Sequence, residues 1–132
     1  MSEMNSKILV VDDSISMRMI VVSFLKKMGY SNIHEAEDGE IALLMLKDGL
    51  LGDDPFQIVI SDWFMPNMTG HELLEAVRKD EQLKNMPFLL VTAEGEDKHV
   101  NMAKESGVTD IIVKPFSIDQ IHAKVKMILN NN

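Results

Sequence analysis

The sequence predicts a doubly wound α/β domain with a five-stranded parallel sheet. Two observations carry that prediction. Short apolar runs of strand length alternate five times with longer segments of helical period. Those strands are almost continuously apolar rather than alternating, which marks a parallel sheet covered on both faces.

"KILVVD", residues 7–12, is the first strand, and "SMRMIVVSFLKKMG" is a helix that stops at Gly29, a residue suited to the position after a helix end. "NIHEAE" is a second, shorter strand. "GEIALLMLKDG", residues 39–49, is the next helix, followed by the irregular "LLGDDP" and a third strand, "FQIVISD". "WFMPNMTG" reads as a loop because of Pro66 and Gly70, and "HELLEAVRKD" as a helix. "PFLLVT" is the fourth strand, "EDKHVNMAKESG" the fourth helix and "TDIIVK" the fifth strand. After Pro115, "SIDQIHAKVKMILN" closes the fold, with Ile118, Ile121, Val125 and Ile128 on one helical stripe. These elements use residues Lys7 to Leu129. A single domain over residues 1–132, with no output domain, is therefore expected.

Composition narrows the function. With 45% hydrophobic and 26% charged residues the chain is globular. Its apolar runs, such as "IALLML", fall far short of the roughly 20 residues that span a bilayer. The opening "MSEMNSK" has no apolar signal region, and the absence of cysteine excludes disulfides and thiolate metal sites; both fit the cytoplasm. A net charge of −8 argues against nucleic acid as a partner. The histidines, His34, His71, His99 and His122, lack metal-ligand spacing and are expected on the surface. The 11 methionines fit core filling and adaptable interface.

In open α/β sheets the ligand crevice lies at the carboxyl ends of the strands. There the sequence places Asp12 and Asp13 after strand one, Asp62 after strand three, Thr92 after strand four and Lys114 after strand five. Adjacent aspartates at a buried strand end repel one another and lose solvation. A bound cation would relieve both costs, and hard oxygen ligands suit Mg²⁺. Read more plainly, Asp13 or Ser14 caps the first helix, Thr92 caps the fourth and Lys114 is a strand-end charge. A carboxylate can also attack phosphorus to give an aspartyl phosphate. Lys114 and the Thr92 hydroxyl could neutralise and position the transferred oxygens.

The blocks "VVDDS", "ISDWFMPNMTG", "VTAEG" and "VKPF", in this order, resemble the response-regulator receiver domain, and most closely the single-domain chemotaxis regulators of the CheY type. The resemblance implies a flavodoxin-like fold with strand order 2-1-3-4-5. It makes Asp62 the phosphoacceptor and Asp12 and Asp13 the acidic pocket. Asp13, Asp62 and the backbone carbonyl of Phe64 would bind Mg²⁺, with Asp12 acting through water. Thr92 and Lys114 would bind the phosphoryl group and report it, and the Lys114–Pro115 peptide bond would be cis. The implied partners are a histidine kinase as phosphodonor, the flagellar motor switch and a phosphatase, with the chain acting as a monomer in the cytoplasm.

Three features depart from the best-known chemotaxis regulators. Phe64 replaces an asparagine, Ile111 replaces an aromatic that swings inward on phosphorylation, and "LKDGLLGDDPFQ" is longer. The changes at Phe64 and Ile111 spare the expected ligands but leave a phosphate sink or a non-motility regulator open. Two further classes fit the motifs less well. A phosphohydrolase of the haloacid-dehalogenase type would carry a second aspartate where Phe64 stands, and an interaction module without phosphorylation would not need the complete side-chain set.

Overall fold

The computed structural model describes residues 3–93 and 95–130; Glu94 of the "VTAEG" block and the last two residues of the terminal "NNN" lie outside them. Five strands, β1 (Ile8–Val11), β2 (Ile33–Ala36), β3 (Ile58–Ser61), β4 (Phe88–Thr92) and β5 (Asp110–Val113), form one parallel sheet in the order β2-β1-β3-β4-β5. Between and after them lie α1 (Ile15–Lys27), α2 (Gly39–Leu51), α3 (Gly70–Lys79), α4 (Asp97–Glu105) and α5 (Ile118–Asn130). The predicted architecture and strand order are the observed ones.

The two-residue repeat of the strands divides the core. Leu9 and Val11 of β1 point into a cluster with α2 and α3 residues, including Ala42, Leu46, Leu73, Leu74 and Val77. Ile8 and Val10 point the other way, into a cluster with Val21 and Leu25 of α1 and Ile121, Val125 and Ile128 of α5. Both faces of β1 are therefore buried, which explains its unbroken apolar run.

The helix ends follow local chemistry. The Ser14 hydroxyl accepts a bond from the Met17 N–H and caps α1. Beyond the C-cap Met28 sits Gly29 at φ +101°, a left-handed conformation that disfavours side chains. Asp38 caps α2 through the Ile41 N–H, and Thr69 with Glu72 forms a reciprocal capping box on α3.

One boundary is corrected. The second helix does not stop at Gly49 but runs to Leu51. Gly49 is buried, and a Cβ there would lie 3.1 Å from the Asp54 carbonyl oxygen, so the glycine permits a close approach of the following loop rather than ending the helix. No helix among the described residues is long and apolar enough to cross a membrane.

Candidate functional site

Strand register builds the site. Val11 pairs with Ser61, so Asp12 and Asp62, one residue further along each strand, emerge side by side at the carboxyl edge. Thr92 pairs with Val113, which brings Lys114 to the same edge. The sequence-predicted residues thus converge from four strands that lie side by side in the sheet, β1, β3, β4 and β5. One carboxylate oxygen from each of Asp12, Asp13 and Asp62 lies within 4.8 Å of the others.

Each group is held differently. Asp12 is buried, and its Oδ1 accepts the Ser14 N–H at 2.9 Å. Asp62 Oδ1 accepts the Trp63 N–H at 2.8 Å. Lys114 Nζ stands between the two carboxylates, 3.6 Å from Asp12 Oδ2 and 3.5 Å from Asp62 Oδ1. These are ion-pair distances rather than hydrogen bonds, and they divide one positive charge between two anions. Asp13 is exposed.

Burial pushes the Asp12 carboxyl above its ordinary range, outweighing the Ser14 N–H that favours the anion, and the neighbouring Asp62 charge pushes the same way. Burial likewise raises Asp62, against the opposing pull of Lys114 and the Trp63 N–H. Two carboxylates that resist ionisation beside a third are a donor set short of positive charge. All the donors are hard oxygens, so the residues fit a divalent cation such as Mg²⁺.

Thr92 is buried at the end of β4, and its carbonyl accepts the Lys114 N–H at 2.8 Å. It does not cap α4, whose N-cap is Glu96. The capping residue of α1 is Ser14 rather than Asp13. The Lys114–Pro115 bond is cis. Phe64 follows Trp63 with a half-exposed ring. Gly70 opens α3 where a Cβ would overlap the Asp62 carbonyl, so the helix approaches this strand end more closely than any other residue type allows.

All four histidines are partly exposed, in keeping with the expectation, but two of them also pack inward. His71 stacks on buried Trp63, ring centroids 5.1 Å apart and planes within 4°. His99 meets the same indole edge-on at 5.2 Å and lies 6.1 Å from the Phe64 ring. His71 Nε2 also pairs with Ser106 Oγ at 2.8 Å, tying α3 to the end of α4. The sequence carries little sign of this grouping, because the two histidines lie 28 positions apart and only the tertiary fold brings them to Trp63. Arg18 was also missed as a residue of this region: its Nη1 donates to the Asp12 carbonyl at 2.6 Å and its Nε to Glu35 Oε1 at 3.0 Å. Read along α1 alone, it is one more polar residue of an amphipathic helix.

Comparison with known proteins supports the same reading. Residues 8–126 match the response regulator receiver domain family. The chain is 44% identical over 124 residues to the chemotaxis protein CheY-3 of Vibrio cholerae, spanning 94% of this chain and 92% of that protein. It is 43% identical over 122 residues to the chemotaxis protein CheY of Pseudomonas aeruginosa, spanning 92% and 94%. The solved structure of the chemotaxis response regulator CheY4 of Vibrio cholerae matches with a TM-score of 0.81 at 35% identity, covering 94% of this chain and 98% of that one.

Proposed function

The chain belongs to the response regulator receiver domain family, and from that membership we propose that it is a phosphoacceptor switch of a chemotaxis pathway. Asp62 is the acceptor. Its carboxylate oxygen attacks the phosphorus of a kinase phosphohistidine; the new O–P bond forms as the N–P bond breaks, and the imidazole leaves with the electron pair and takes up a proton. The observation that carries this reading is Lys114 Nζ poised between Asp12 and Asp62, within 3.6 Å of both. From there the ammonium reaches charge that develops on the transferred oxygens. The Thr92 hydroxyl, at the end of the neighbouring strand, would bond the phosphoryl group once it is attached.

Mg²⁺, held by Asp13, Asp62 and the Phe64 backbone carbonyl with Asp12 acting through water, would neutralise the phosphoryl oxygens. The chain's own residues orient the acceptor: the Trp63 N–H fixes one Asp62 oxygen and leaves the other to react. The protein is a signalling switch that catalyses its own phosphorylation and slow dephosphorylation. The half-exposed Phe64 ring beside the acceptor offers no hydrogen bond to a hydrolytic water, so the phosphorylated state is long-lived. A dedicated phosphatase has to pass the same ring. The protein acts as a cytoplasmic monomer, and its output partner is the flagellar motor switch.

A second reading, a phosphate sink or a regulator of another target, is favoured by Ile111. This β-branched residue packs against the core from β5 and has no hydroxyl to hold either of two positions, so coupling through it is weak. One experiment addresses both readings. Acetyl phosphate with Mg²⁺ should add a single phosphoryl mass to wild type and none to Asp62→Asn. A motor-switch peptide is then titrated against both forms. No adduct on wild type, or a full adduct on Asp62→Asn, overturns the proposal; a peptide preference below about tenfold, 1.4 kcal/mol of coupling, selects the second reading.

A further inference from the structure

Asp13 is the least supported of the three site carboxylates. It is exposed, and its direction is set by the two peptide units that flank it. The following N–H, that of Ser14, is tied to Asp12 Oδ1 at 2.9 Å. The preceding carbonyl, that of Asp12, accepts Arg18 Nη1 at 2.6 Å, a short charge-assisted bond.

Arg18 can hold that carbonyl because its guanidinium is itself held. It projects from α1, its side chain is only 14% exposed, and its Nε donates to Glu35 Oε1 on β2 at 3.0 Å. The planar fork spans two acceptors on different elements, the end of β1 and the edge strand β2, which the single ammonium of lysine does not reproduce. The Asp12 carbonyl lies before α1 begins, at the end of β1, where Arg18 Nη1 reaches it from the helix.

We propose that Arg18 is a positioning residue of the acidic site, fixing the peptide between Asp12 and Asp13 so that the Asp13 carboxylate faces a bound divalent cation. The inference rests on the reading of Asp12, Asp13 and Asp62 as a cation site. It is distinguished from a purely electrostatic role by sign. A fixed positive charge beside the site repels a cation, so deleting it would tighten Mg²⁺ binding. Loss of positioning weakens it, as the loss of outer-shell partners does at metal sites.

The test is an Mg²⁺ titration of the full chain, read by the fluorescence of Trp63 and by calorimetry, for wild type, Arg18→Met and Arg18→Lys, with urea unfolding of each in the absence of Mg²⁺. Arg18→Met is expected to weaken Mg²⁺ binding about tenfold, the lower end of outer-shell effects, and Arg18→Lys to fall between it and wild type. Equal or tighter Mg²⁺ binding by a folded Arg18→Met overturns the proposal. Should that variant not fold, Arg18→Lys is held to the same criterion. A wild type that shows no Mg²⁺ response by either method overturns the underlying cation-site reading instead.

Discussion

Helices α3 and α4 follow neighbouring strands that end at the site, yet they are anchored very differently. α3 buries Leu73, Leu74 and Val77 and starts with a reciprocal capping box. α4 buries Ala103 and starts at Glu96 without a side-chain cap. Full burial of each large aliphatic side chain stabilises by about 1.5–3 kcal/mol, so α3 is held several kcal/mol more firmly. The helix after the Asp62 strand is thus part of the rigid frame, and the helix after Thr92 is easier to displace. His99, edge-on to Trp63, is a tie between α4 and the residue that follows Asp62.

The largest expected contrast lies in the cores of the two helices. Leu73→Ala should destabilise the fold by about 2–5 kcal/mol through transfer and cavity costs. Met102→Ala, on the exposed side of α4, should stay within about 0.5 kcal/mol. Urea unfolding midpoints measure both, and comparable losses would erase the distinction between the helices.

A smaller effect separates the strand ends the helices follow. Burial holds the Asp12 and Asp62 carboxyls above their ordinary value of 3.8, so the folded chain binds those protons more tightly than the unfolded one. Without divalent ions their contribution is neutral below that value, and it becomes increasingly destabilising as pH rises through the raised folded values. The stability of Asp62→Asn relative to wild type should therefore increase as pH rises from about 3 to 7. Thr92→Val, which removes no titratable group, should show an offset independent of pH. An advantage of Asp62→Asn that shrinks with rising pH would mean that burial does not govern this carboxylate.

The smallest contrast is in the caps. Thr69→Ala should cost about 1 kcal/mol, whereas Glu96→Ser should add about 0.5 kcal/mol and slow amide exchange in α4. If Glu96→Ser leaves exchange unchanged, the missing cap is not what loosens the helix.

Much of this was legible in the chain before any fold was known. The strands and their polar ends stood out because continuous burial writes an unbroken apolar run and then stops at Asp12, Asp62, Thr92 or Lys114. The two extra residues of α2 did not, because Gly49 and Gly52 look like terminators until the close approach of Asp54 is seen. The grip of His71 and His99 on Trp63 and of Arg18 on Asp12 was hidden for a common reason. Each joins separate elements through side-chain directions, which neither spacing nor periodicity encodes. The unequal anchoring of α3 and α4 lay in between: "HELLEAV" displays its leucines, and "DKHVNMA" shows few residues that could replace them.

The long connection from α2 to β3 enters the sheet at its amino edge. There Lys7 Nζ bonds Asp54, and the Gln57 N–H bonds the Lys7 carbonyl. Asp12, Asp62, Thr92 and Lys114 sit at the opposite edge, separated by the full length of the strands. Chain length can therefore drift at residues 52–55, all of them exposed, without a change in the chemistry. For an engineer, this is the seam at which to splice in a reporter or a second module. In evolution, it is a place where length can change without touching the carboxyl edge of the sheet.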